Sequence, residues 1–163
     1  MPTLDITTKD NPGDDWIAFV RAALNPSRQE QRIVESSIRA RFADNFTREG
    51  SGSGPWAQLA DSTAQDRARQ GYGPYHPILR RTGGLRGSWV NSDRADSGYE
   101  LNRTSQGWEM LVGSDDEIAR YHELGTSLMP ARTVADMDNS QERRIADALD
   151  RMLDRVAART LDG

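Results

Sequence analysis

The sequence predicts an α+β fold: N-terminal helices and a long C-terminal helix packed with a small antiparallel sheet of about three or four strands. Three observations lead there. Apolar residues recur at helical spacing near both ends of the chain, they alternate with polar residues in the middle, and glycine-rich turn signals separate the two regimes. The order of helices, then strands, then a helix gives the class. A chain of 163 residues favours one domain, 1–163.

The elements follow in order. Leu4 and Ile6 alternate with polar neighbours, the pattern of a short edge strand. Asn11-Pro12-Gly13 reads as a turn, after which Asp14 or Asp15 caps a helix carrying Trp16, Phe19, Val20, Ala23 and Leu24 on one face. Asn25-Pro26 interrupts it. Ser27 and Glu30 form a capping-box pattern that opens a longer helix, with Val34, Ile38, Phe42 and Phe46 on one stripe. "REGSGSGPW" ends that helix with the composition of a flexible loop. Ser62 and Gln65 suggest a second capping box and a short polar helix to about Gln70, and "GYGPYHP" is turn-rich. The span 50–77 as a whole reads as a long, weakly apolar, flexible loop. Three strands are then expected: Ser88 to Asn91, a run around Tyr99 and Leu101, and a run with Trp108, Met110 and Val112, Gly107 lying in the last connection. Ile145, Leu149, Met152, Leu153 and Val156 mark the final helix, supported by Asp147 and Arg151 at i,i+4.

Composition narrows the function classes. Hydrophobic residues make up 36% and charged residues 28%, with a mean hydropathy of -0.77, so the apolar surplus for a core is small. The net charge of -4 does not suggest broad nucleic-acid binding. Lys9 is the only lysine; high-GC coding accounts for most of that arginine bias, although the planar guanidinium also suits interfaces. The absence of cysteine excludes disulfides and thiolate metal sites. "MPTLDITTKDNPGDD" lacks the basic and apolar regions of a secretory signal, and no stretch is apolar enough to span a bilayer; a soluble protein is expected.

One stretch looks like chemistry. "ARYHELGTSLMPAR" pairs His122 with Glu123, but the zinc motif H-E-x-x-H needs a histidine where Thr126 stands. The other histidine, His76, lies in the turn-rich segment. "GSGSG" has glycine at the nucleophile position of a G-x-S-x-G elbow, and neither it nor "TGGLRG" has the lysine of a phosphate loop. "LRRTGGLRGSW" gathers Arg80, Arg81 and Arg86 around a Gly-Gly turn. Such a cluster serves either phosphates or the carboxylates of an adjoining subunit, and the negative net charge favours the second. Trp56, Trp89 and Trp108 read as core or interface anchors.

A set of short motifs then lines up: Arg41-Phe42, Trp56 with Leu59 and Thr63, "ILRRTGGLRGSW" with Leu79, Thr82, Gly83, Leu85 and Ser88, then Ala119, His122 and Gly125, and finally Pro130-Ala131-Arg132. In this order they resemble the tailed-phage virion morphogenesis family, the Mu G-like tail-completion proteins and related head-tail neck proteins. The likeness spans roughly Asp15 to Asp138. Ile118 replaces the family's usual Tyr, and Thr133-Val134 replaces its Pro-Phe.

The resemblance implies a non-enzymatic structural protein of the virion, without cofactor, metal or membrane contact, assembled in the host cytoplasm. It implies a cyclic homo-oligomer of about six or twelve copies at the head-tail junction, since closed rings arise from head-to-tail contacts. The partners it implies are the head connector and the tail terminator or tail proteins, with genomic DNA passing through the lumen. A tail terminator is the alternative within that class, and a small nucleic-acid-binding protein using Arg80, Arg81 and Arg86 the alternative outside it. Candidate subunit-contact residues are Trp56, Leu79, Arg80, Arg81, Leu85, Arg86, Tyr121, Glu123 and Arg132. The span 50–77 is expected to dock on a neighbour through Trp56, Tyr72 and Tyr75, with Tyr121 and Leu124 anchoring the His-Glu segment.

Overall fold

The computed structural model describes residues 12–73, 76–105 and 107–161. The class is α+β: six helices and four short strands, the strands forming two separate antiparallel pairs. In chain order these are α1 (Pro12–Ala23), α2 (Arg28–Arg48), β1 (Gly50–Ser51), β2 (Gly54–Pro55), α3 (Asp61–Arg69), α4 (Gly84–Val90), β3 (Ser97–Thr104), β4 (Gly107–Ser114), α5 (Glu117–Leu124) and α6 (Asn139–Leu161). The edge strand expected around Leu4 and Ile6 lies outside the described residues.

α2 is the axis of the molecule. It starts as its sequence predicts: Glu30 N–H donates to Ser27 Oγ, and Ser27 N–H donates back to the Glu30 carboxylate at 2.6 Å. α6 packs along one of its faces, where Ser37 donates to the Arg144 carbonyl and Asp44 pairs with Arg144 at 3.3 Å. Another face carries Phe42 edge-on to Trp89 of α4 and Phe46 edge-on to Trp56. Those aromatics, with Ile78, Leu79, Ala119 and Val134, form the main core cluster. Ala148, Met152, Val156 and Ala157 bury the inner face of α6.

The β3–β4 hairpin pairs Tyr99 with Val112, Leu101 with Met110 and Arg103 with Trp108, so the alternating apolar residues share a face. The helices cover that face: Tyr99 Oη donates to Gln31, the Arg28 guanidinium lies 4.0 Å from the Tyr99 ring centroid, and Trp108 Nε1 donates to the Ala23 carbonyl.

Several expectations are corrected. Ser88 to Asn91 is not a strand but the end of α4. Gly83 turns the chain at φ 81, and Leu85 and Trp89, four apart, both face the core; the helical period outweighs the local strand preference of Trp and Val. There is therefore no third strand in the β3–β4 sheet. α1 begins at Pro12, so Asp14 and Asp15 fall inside its first turn: proline's fixed φ suits the first helical position. Ser62 does not cap α3, which starts after Ala60 without a side-chain cap. Gly107 opens β4 opposite Thr104. The ion pairs of α6 are Arg144–Asp44 and Arg159–Glu30, not Asp147–Arg151.

The described residues of 50–77 are not one long loop either, and the short polar helix expected to about Gln70 forms as α3. The Gly/Ser stretch is the β1–β2 hairpin, seated so closely that a Cβ on Gly52 would lie 2.2 Å from Met137 backbone atoms. α3 follows, and the chain after it is held down: Arg67 donates to the Pro77 carbonyl, and the Glu49 carboxylate accepts from Ile78 N–H. Leu79, buried, sits in the left-handed region at φ 59. Tyr75 lies outside the described residues; the Tyr72 ring packs 4.6 Å from His76.

Two neighbouring arginines of α2 make opposite predictions. Arg39 is 4% exposed, and all three of its nitrogens donate: to Glu35 at 2.9 Å, to the Trp89 carbonyl at 2.9 Å and to the Gly98 carbonyl at 3.1 Å. Arg39→Met leaves Glu35 with only the half-exposed Arg28 and should lower stability by roughly 3–5 kcal/mol. Arg41 is 1% exposed, yet none of its nitrogens makes a hydrogen bond among the described residues; the fields of Asp138, Glu142 and Asp136 offset part of its burial. Arg41→Met should raise the unfolding free energy by about 1 kcal/mol or more, seen as a higher urea midpoint. Urea titrations of the two variants check both signs.

Candidate interface cleft

α3, the start of α4, α5 and the strand-like segment before Arg132 enclose a cleft of about 580 Å³. One wall is α3 with Thr63, Asp66 and Arg67; the facing wall is Arg81 to Leu85. Ile118 and His122 of α5, with Leu128, Met129 and Pro130, form the third side, and Arg132 closes the base.

Arg132 builds this arrangement. It is 4% exposed, its Nε donates to the Ala57 carbonyl at 2.8 Å and its Nη2 to Gln58 at 3.0 Å, so it ties the lead-in of α3 to the segment after α5. Its own N–H donates to the His122 carbonyl at 2.7 Å, capping the end of α5. Gly125 makes that return possible. It has φ 70, and a Cβ there would stand 2.8 Å from Ala131 N.

The anchors expected on α5 are corrected, while the hydrogen bonding expected of its His-Glu pair is found at Glu123. His122 and Glu123 turn inward while Tyr121 and Leu124, expected anchors, turn out. The Glu123 carboxylate accepts from the N–H groups of Val134 and Ala135, holding the chain toward α6; burial keeps its carboxyl above the ordinary range despite those bonds. His122 Nδ1 is buried without a hydrogen-bond partner, and burial, followed by the charges of Arg132 and Arg67, lowers its pKa. Ile118, Tyr121, Leu124 and Leu128 are exposed, Leu124 at 71% and Leu128 at 95%, an apolar ridge beside the cleft mouth. The physical reason is packing: Ala119 is the α5 residue small enough to press into the core, and it brings His122 and Glu123, three and four positions on, to the same side.

The electrostatics of the cleft are cationic. Arg67 gives one nitrogen to Pro77; its pKa is lowered by burial first and then by the charge of Arg81. Burial and then Arg67 lower that of Arg132. Of the two carboxylates on the lining, Asp66 accepts from Gln70, and Asp116 caps α5 by accepting from Ile118 N–H.

The candidate contact residues divide accordingly. Trp56 (whose Nε1 donates to the Thr133 carbonyl) and Leu79 belong to the core, and Leu85 packs against it; Arg132 and Glu123 hold chain segments together. Arg80 is half-buried, and Arg86 is half-buried with its Nε unpartnered, so the three arginines do not form one projecting cluster. Arg81 and Tyr121 are exposed. α3 supplied the unforeseen residue, Arg67; the i−4 relation of Thr63 to Arg67 on a helix was readable, but nothing local marked which face the core would leave open. Among the described residues no three His, Cys, Asp or Glu side chains converge, and no helix is long and apolar enough to cross a membrane. Comparison with protein-family models, curated proteins and solved structures finds no match to this chain.

His122 makes stability pH-dependent. Its folded pKa lies below 6.5, so the unfolded chain takes up the proton first, and stability falls as pH drops below 6.5 toward the folded value. Glu123, raised, has the opposite sign, its contribution being present below 4.5 and lost as pH rises through its folded value. His122→Gln should therefore reduce the loss of urea midpoint between about pH 7.5 and about pH 5, measured against the unaltered protein.

Proposed function

We propose that the protein is a non-enzymatic structural component of the head-tail junction of a tailed phage, a neck or tail-completion subunit. The observation carrying this reading is the ordered set of motifs from Arg41-Phe42 to Pro130-Ala131-Arg132. In the fold these distant segments surround one core and one cleft: Phe42, Trp56, Leu79 and Ala119 meet in the core, while Leu59, Thr63, Thr82, Leu85, His122 and Arg132 line the cleft. Motif residues are thus spent on scaffold and on a recess, and the reactive types among them are committed to structure. Glu123 accepts backbone N–H groups, and His122 faces Arg132 and Arg67, whose charges disfavour a cation there.

In this reading copies associate head to tail in a ring that meets the head connector on one side and tail proteins on the other, and its lumen passes DNA. The apolar ridge of Ile118, Tyr121, Leu124 and Leu128 is the contact surface best suited to exclude water. Arg81, exposed at the cleft rim, adds charge to the same margin.

Imaging of the virion with this chain tagged should place it between head and tail. Tyr121→Ser with Leu124→Ser, on exposed positions, should leave the monomer's urea midpoint within about 0.5 kcal/mol yet yield heads and tails that fail to join. Normal joining, or steeply salt-dependent DNA binding by the isolated protein, would displace the reading in favour of a nucleic-acid-binding role.

A further inference from the structure

We infer that the α3–α5 cleft receives the segment 1–11 of a second copy of this chain, with Asp5 meeting the guanidinium groups of the cleft and Leu4 and Ile6 meeting its apolar wall. The inference uses only the subunit-to-subunit part of the function proposed above.

The cleft asks for an anionic group flanked by apolar ones. Arg67, Arg81 and Arg132 all line the recess, Arg67 lies within the field of Arg81 and Arg132 within that of Arg67, and Arg132 Nη1 makes no hydrogen bond among the described residues. The acidic residues facing them are engaged locally, Asp66 by Gln70 and Asp116 by α5. A carboxylate entering there relieves cation–cation repulsion and gains charge-assisted hydrogen bonds. Around these charges lie Leu59, Leu85, Ile118 and Met129, so a bare inorganic anion would leave apolar surface wet.

Within the segment 1–11, "MPTLDITTKDN", the stretch Leu4-Asp5-Ile6 has that chemistry, while Lys9 and Asp10 offset each other nearer α1. In an extended chain Leu4 and Ile6 fall on one side and Asp5 on the other, which matches a recess with an apolar wall and a cationic base. Eleven extended residues reach at most about 40 Å, enough to cross between adjacent subunits.

A neighbour's segment fits better than the chain's own. The segment leads into α1, and α1 packs on α6. α6 occupies the face of α2 that carries Ser37 and Asp44, whereas the cleft lies beyond the face that carries Phe42 and Phe46. α1 therefore begins on the α6 side of α2, away from the cleft, which favours the cleft of an adjoining copy as the destination.

The chain has no cysteine, which makes disulfide trapping unambiguous. Full-length protein carrying Thr7→Cys is mixed with full-length protein carrying Thr63→Cys, an exposed position on the α3 wall, and oxidised gently. A covalent heterodimer is expected on non-reducing gels. Asp5→Asn in the first partner, or Arg81→Glu in the second, should cut its yield about tenfold, while Thr7→Cys mixed with Ala146→Cys on the outer face of α6 should give little. Equal yield at Ala146, yield indifferent to Asp5 and Arg81, or a double variant that closes only within one chain would each overturn the inference. Electron microscopy of the same samples separates the two ideas: rings without the Thr7–Thr63 bond sink this contact and keep the ring, whereas the bond in a protein missing from virions keeps the contact and sinks the virion role.

Discussion

The fold depends on Arg39. A chain with few apolar residues cannot join its elements by hydrophobic contact alone, and this one uses a buried guanidinium as the junction. From the middle of α2, Arg39 reaches Glu35 on its own helix, the last turn of α4 through the Trp89 carbonyl, and the first part of β3 through the Gly98 carbonyl. The last two bonds satisfy backbone acceptors of short elements, and the first pairs the buried charge. The same device recurs. Asn45 donates to the carbonyls of Val134 and Asp136 and accepts from Gln141, and Arg132 holds Ala57 and Gln58. These three buried polar side chains, matched to distant backbone groups, do part of what a larger core does elsewhere. Such networks specify geometry strongly because a partly satisfied one is costly.

What was legible in the sequence follows from where the information sits. α2 was readable because its start is a local hydrogen-bond exchange between Ser27 and Glu30 and its stripe is long. β3 and β4 were readable because Tyr99, Leu101, Trp108, Met110 and Val112 keep one alternation and pair across the hairpin. A further cap was readable and passed over. Asp138 and Gln141 exchange hydrogen bonds at the start of α6, where Ser140 and Gln141 hold the Asp138 carboxyl down to about 2. α4 was misread because seven residues hold too few periods to separate helix from strand, and Trp and Val favour strands locally. The orientation of α5 was not legible at all. Its two faces are Ile118, Tyr121, Leu124 and Ala119, His122, Glu123, and hydropathy points to the first as the buried one. Tertiary contacts chose the second, because Glu123 finds the Val134 and Ala135 N–H groups and a small alanine fits against the core.

The cleft has the same origin. Its three arginines are far apart in sequence, and two of them are fixed by bonds to other segments: Arg67 by Pro77, Arg132 by Ala57 and Gln58. Sequence motifs mark the segments that come together but not the recess between them. The assembly role proposed above draws on the order of those segments, whereas the charge and exposure of the recess are properties of the fold itself.

The reach of Arg132 also orders events in time. Its two partners lie 75 and 74 residues earlier in the chain, and the Asn45–Gln141 bond spans 96. Contacts of that separation close large loops and form after local helices and hairpins. On a ribosome, α1, α2 and the β1–β2 hairpin emerge while the recess still lacks its base. The recess is thus incomplete until Arg132 has been made and folded back onto Ala57 and Gln58, so any contact made through it, including the one inferred above, belongs to the finished subunit and not to a chain still being translated.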